Sequence, residues 1–241
     1  MLNTLEIIFR HHPALLREGV AVGESYRSRI GGLKFIRFQR LHIEITDISG
    51  TKVIDTAGSR RNVVYPVDME LYLSRPPDER KQCLYEAVFE IMEELAAANN
   101  RDVAVLRRIH DGIRSADYVL PVSYYPKSLN PALTRIVALD YTYTFEYVEF
   151  VLLVYDREGA LLHTMPVYRC HPLTQFFSRF FTFKEWVTND LFVIKDANRE
   201  IHFVCDLITG EVVIELHPDA HSEEELQRLL KGLHYTANEL Q

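Results

Sequence analysis

Glycine is scarce in this chain, with 10 among 241 residues. The motifs G-x-x-x-x-G-K-[ST], G-x-G-x-x-G, G-x-S-x-G and H-E-x-x-H are all missing. The usual phosphate loops, the nucleophile elbow and the zincin helix are thereby excluded. Cysteine is scarce too. Cys83, Cys170 and Cys205 are odd in number and far apart, which argues against a disulfide framework or a zinc ribbon. No apolar run reaches the roughly 18 uncharged residues of a membrane span. The start, MLNTLEIIFRHHP, carries Glu6 before its short apolar run and lacks a small-residue cleavage site, unlike a signal peptide. A cytoplasmic protein is expected.

Positive charge is lacking in one half. Residues 1–120 hold 17 Lys and Arg against 17 Asp and Glu, whereas residues 121–241 hold 10 against 17, so the whole excess of −7 lies in the second half. That half is a poor surface for nucleic acid or an anionic membrane, which want clustered basic residues. It suits a basic protein partner. What is present in quantity is apolar: 47% of the residues are hydrophobic and 25% charged, enough for a folded core in one large domain or two small ones.

The stretch Ile136–Tyr155 is the strongest local signal. Tyr141, Tyr143, Phe145 and Tyr147 alternate with polar residues, then Phe150, Leu152 and Val154 take over the inward positions. Alternation of this kind is the period of a half-buried strand, and the change of phase predicts a bulge or bend near Val148–Glu149. Asp156–Gly159 then turns the chain into a hairpin with Ala160–Met165. A similar arrangement precedes it. Phe35–Thr46 reads as a bent strand that Asp47–Gly50 turns into Thr51–Thr56. Phe38 superposes on Tyr147, Ile43 on Leu152, Asp47 on Asp156 and Gly50 on Gly159. Either turn chemistry makes hairpins alike, or the chain contains two similar halves.

Elsewhere, Leu2–Phe9 reads as a short helix or an edge strand, and Gly19, Gly23 and Gly31-Gly32 read as loop markers. Val63–Leu73 reads as a strand with Asp68 and Glu70 on its polar face. Leu84 to Ala98 repeats at helical spacing after Pro76-Pro77-Asp78, and a second helix follows over Asp102–Ser115. Tyr124–Pro131, with two prolines, is the expected connector between domains 1–123 and 132–241. A meander follows over Leu191–Lys195, Glu200–Cys205 and Glu211–Leu216, with turns at Asp196–Arg199 and Asp206–Gly210. The capping pattern Ser222-Glu-Glu-Glu225 opens a last helix. The expected fold is α+β, with antiparallel hairpin and meander sheets flanked by helices.

Four constellations could carry chemistry. His217-Pro-Asp219-Ala-His221 puts three potential zinc or iron ligands at alternate positions, and a metal-dependent hydrolase is the alternative reading of the chain; as a turn feeding a helix the same residues are simply solvated. His110-Asp111 reads as a helix surface pair. Cys170-His171 would point to opposite faces of a strand, and Cys205 reads as buried apolar filling. The fourth is the aromatic block from Phe176 to Trp186. As a helix it carries more apolar width than one core needs, which means burial on two sides or contact with a partner.

These features favour a non-enzymatic protein-binding module without a cofactor. Its partner site is expected at Phe177, Phe181, Phe183 and Trp186, with Glu149 and Glu158 steering a basic protein. A second copy of the chain is the other candidate partner for the aromatic block. Bacterial immunity proteins and secretion chaperones share this physical profile, as a class and not through any motif.

Overall fold

Strand β1 (Thr4–Phe9) exposes Thr4 and Glu6 and buries Leu5, Ile7 and Phe9. In this computed structural model, which describes residues 2–30, 38–47, 53–119, 121–170 and 180–216, helix α1 (Leu16–Ile30) lies on that buried side. Its approach depends on glycine. A Cβ at Gly19 would stand 2.2 Å from the Ile7 carbonyl oxygen, and one at Gly23 2.7 Å from that of Leu5. Both glycines were expected in loops; they instead form the contact face of a helix, where the missing side chain lets two backbones meet.

Strand β2 (Arg40–Thr46) pairs parallel with β1, and β4 (Arg60–Pro66) pairs parallel with β2. Strand β3 (Val53–Ala57) is antiparallel to β4 on the outside, so the order is β1-β2-β4-β3. The expected hairpin of β2 with Thr51–Thr56 is therefore not formed, because β4 stands between them. The tight turn in this region is at Gly58–Ser59, where Gly58 takes φ 55°, a left-handed conformation that glycine adopts without strain. Residues 48–50 of the expected turn lie outside the described residues. Leu41, Ile43 and Ile45 are buried in a strand flanked on both sides, a parallel pairing that no local pattern announces.

Strand β4 stops at Pro66, short of the expected Leu73. Asp68 does not sit on a strand: its carboxylate accepts from Leu71 N at 2.9 Å and caps helix α2 (Met69–Ser74). Helices α3 (Pro77–Ala98) and α4 (Ala104–Ser115) follow, and α3 buries the expected stripe Leu84, Ala87, Val88, Ile91, Met92 and Leu95.

By its contacts the chain divides into two units, residues 1–120 with Tyr143–Phe145, and residues 121–142 with 146–241. The second unit holds two four-stranded sheets among the described residues. One has the order β5 (Pro121–Leu129), β6 (Arg135–Tyr143), β7 (Val148–Asp156) and β8 (Leu161–Cys170). The expected connector at Tyr124–Pro131 is thus largely a strand. The expected single bent strand over Ile136–Tyr155 is two strands, β6 and β7, hydrogen-bonded neighbours joined by residues 144–147. So short a connection makes them antiparallel, and the change of phase marks a reversal of the chain rather than a bulge. The β7–β8 hairpin turns at Asp156–Gly159 as the sequence predicts; Gly159 has φ 91° and the Asp156 carboxylate accepts from Ala160 N at 2.8 Å.

The other sheet is the expected meander, β10 (Leu191–Lys195), β11 (Ile201–Asp206) and β12 (Val212–Leu216), all antiparallel, with β9 (Phe183–Trp186) on the far edge. The first unit's mixed sheet and these antiparallel ones differ in topology, so the likeness of Asp47–Gly50 to Asp156–Gly159 does not extend to the strands around them. No helix among the described residues is long and apolar enough to cross a membrane. The last expected helix, at 222–233, lies outside the described residues.

The glycine contact gives a test with opposite signs at two sites. Gly19→Ala forces a methyl group into the β1 backbone and should cost about 2–3 kcal/mol in urea unfolding. Gly112→Ala on α4, where a Cβ would meet nothing within 4 Å, should stabilise by about 0.5–1 kcal/mol.

Candidate functional site

Of the residues expected at a partner site, Phe181 is the clearest correction. It is 1% exposed, with its ring centroid 4.2 Å from Phe150 of the β5–β8 sheet and 5.0 Å from Phe203 of the β9–β12 sheet. Tyr168 of β8 reaches Phe203 at 5.5 Å. A residue so placed belongs to the core joining two sheets and offers no surface to a partner. The aromatic block is not a continuous helix, since Phe183–Trp186 is strand β9.

Phe183 is 39% exposed, and the Arg199 guanidinium lies over its ring at 4.6 Å. Trp186 has the opposite parity on the same strand. It is half-buried, donates from Nε1 to Ser128 Oγ at 3.2 Å and packs on Phe192. The two therefore lie on opposite faces of β9. Glu149 at the start of β7 is held by Arg169, with Nε at 2.8 Å. Glu158 is exposed in the turn beyond the other end of that strand, on the order of 25 Å away at about 3.4 Å per residue. The expected residues thus do not form one patch. Phe177, like His217, Asp219 and His221, lies outside the described residues. Among the described residues no group of three or more His, Cys, Asp or Glu side chains is gathered as a metal would need.

The second unit does present apolar surface, in a place the sequence did not single out. Strand β12 ends the meander and has β11 as its neighbour on one side. Val213 is 54% and Ile214 36% exposed, and the exposed Glu211 and Glu215 flank them. Ile214 pairs with the fully buried Phe203 and Val213 with Val204, so the two side chains occupy opposite faces of the sheet and both stay partly open. In the linear pattern β12 reads like β10 and β11.

The first unit contains a cleft of about 640 Å³ between the end of β4, α2 and α3, lined among others by Tyr65, Tyr72, Arg75, Cys83, Glu86 and Glu90. Its volume suits a small molecule. The Arg75 guanidinium rests against Cys83 Sγ. Tyr65 donates to Glu90 at 2.6 Å, and burial first, then that bond, raises its hydroxyl pKa. Behind the cleft, the buried Glu18 accepts from Tyr72 Oη at 2.6 Å and pairs with Arg80 at 2.8 Å. Its charge is thereby compensated twice, as a carboxylate in the interior requires.

Glu86 is a second hub. It accepts from the Arg114 fork at 2.8 and 2.6 Å, from Tyr118 Oη at 3.0 Å and from His110 Nε2 at 3.0 Å. Burial alone would raise its pKa; the bonds from Arg114, His110 and Tyr118 overcome that and hold it at about 2. His110, expected on a helix surface, is 1% exposed and stacked on Phe89 with centroids 4.0 Å apart. Cys205 is buried as expected, and burial pushes its thiol up to about 12.

The chain matches no family model, no curated protein and no solved structure.

Because the carboxyl of Glu86 is held below its ordinary value of 4.5, its stabilisation is fully present above that value and is lost as pH falls toward 2. Glu86→Gln should therefore cost on the order of 1–2 kcal/mol at pH 7, discounted for partial exposure. It should also flatten the acid limb of a stability–pH profile measured by thermal unfolding.

Proposed function

We propose that the chain is a non-enzymatic protein-binding module, and that its second unit receives an extended, basic segment of another protein along β12. The observation that supports this reading is the edge itself: a strand with one neighbour in its sheet among the described residues, and exposed apolar side chains at Val213 and Ile214. An open edge offers a row of backbone donors and acceptors to an incoming strand, and alternate side chains give the selectivity. The acidic excess of residues 121–241, with Glu211 and Glu215 beside the edge, supplies the long-range attraction. Phe183, on the opposite edge strand of the same sheet, remains as a peripheral aromatic contact in this reading, and Phe181 has no part in it. Cytoplasmic action of the kind performed by an immunity protein or a secretion chaperone is the corresponding biological role.

The test is a photo-crosslinking amino acid at position 213 in the full chain expressed in its own cell, compared with the same group at the exposed Glu70. A discrete adduct with a different protein is expected at 213 alone, with a yield that drops several-fold in high salt and in the neighbouring variant Glu215→Lys. Equal labelling at both positions, or adducts of the chain with itself alone, would overturn the reading.

A further inference from the structure

Four polar side chains distant in sequence lie in one row across the first sheet. Glu6 of β1 stands opposite His42 of β2, His42 opposite Asn62 of β4, and Asn62 opposite Asp55 of β3. Paired residues share a face. This one faces away from α1, because the alternate residues Leu5, Ile7, Leu41, Ile43 and Val63 are the buried ones and Gly19 and Gly23 sit against β1 on their side.

The members of the row are not in equivalent states. Glu6 Oε2 lies 2.9 Å from His42 Nδ1. A carboxylate only accepts, so Nδ1 carries the hydrogen, and in the neutral ring Nε2 then presents its lone pair. A carboxylate that orients an imidazole in this way is the usual support of a metal-ligating histidine. Beyond His42, the Asn62 Oδ1 atom is enclosed and has no hydrogen-bond partner, an unfavourable condition for an acceptor. Beyond Asn62, Asp55 is exposed.

We propose that this row is a divalent metal site. His42 Nε2, Asn62 Oδ1 and the Asp55 carboxylate are its ligands, and Glu6 is the residue that positions the imidazole. Strand spacing permits it. Neighbouring strands run about 4.8 Å apart, so His42 and Asp55 flank Asn62 at about that distance on either side. At that spacing an imidazole from one strand and a carboxylate from another are long enough to reach a cation held on the amide oxygen, at metal bonds of about 2.0–2.2 Å. A cation there would answer the enclosed amide oxygen, which no hydrogen bond among the described residues does. One nitrogen and two oxygen donors suit zinc or manganese better than a soft-ligand metal. The set has two of the side chains that commonly bind such ions and an amide as the third, and its members are spread over positions 6 to 62. No sequence motif marks it, and it shares no residue with the His217–His221 cluster or with the proposed strand-addition edge.

The experiment is calorimetric titration of zinc chloride into the chelator-stripped full chain. One saturable site per chain is expected. His42→Ala and Asp55→Ala should abolish it, and Glu6→Gln should weaken it 10–100-fold. The double variant His217→Ala/His221→Ala should bind as the unaltered chain does. In the unaltered protein, zinc should shift the ¹⁵N resonance of His42 Nε2 and leave Nδ1 bonded to Glu6, a readout that does not depend on any variant folding. The proposal is overturned if the unaltered chain shows no saturable binding, if the Nε2 resonance does not move, or if binding survives in His42→Ala and is lost in the double variant.

Discussion

The second unit depends on rings meeting between its two sheets. Phe150 and Tyr141 rise from the β5–β8 sheet and Phe203 from the β9–β12 sheet, and Phe181 fills the space between Phe150 and Phe203. Aromatic groups dominate core energetics through the area they bury, and here they join strands β6 and β7 to β11, which no backbone pairing links. The polar counterpart is Asn130. Its amide accepts from Thr134 N and Arg135 N and donates to the Asn189 carbonyl, tying the β5–β6 turn to the turn before β10. The interior rings are committed to this junction, while Val213 and Ile214 of β12 stay partly open.

The first unit is held differently. Its helix α1 meets β1 backbone to backbone at Gly19 and Gly23, and two carboxylates are compensated behind and beside its cleft, Glu18 by Tyr72 and Arg80 and Glu86 by Arg114, Tyr118 and His110. Removing one partner from such a network leaves a charge without compensation, which costs more than the pair contributes. The networks therefore fix where α2, α3 and α4 sit more than they add to stability.

What was legible in the sequence was local. The turns at Asp156–Gly159, Asp196–Arg199 and Asp206–Gly210 were readable because their chemistry is short-range. The Asp196 carboxylate accepts from Asn198, Glu200 and Ile201 N–H groups, and the Asp206 carboxylate from Ile208 and Thr209. The α3 stripe was readable from its period. The insertion of β4 between β2 and β3 was not, since parallel pairing is set by distant segments. Nor was Phe181 legible as core, because its burial comes from two sheets closing on it rather than from the alternation of its neighbours. His110 stands four residues after Leu106 and three before Ile113, on the buried face of α4, so its burial was open to a reading by period; its partners Glu86 and Phe89 on α3 were not.

The claim on which the functional account turns is that β12 is an open edge. Amide hydrogen exchange of the isolated protein, resolved residue by residue, tests it without knowledge of any partner. In an antiparallel edge strand alternate N–H groups point to the neighbouring strand and the rest point outward. The account expects protected and fast-exchanging amides to alternate along Val212–Leu216, while both sets are protected in β11. Uniform protection of β12 equal to that of β11 would mean that the edge is already covered, and would contradict the account.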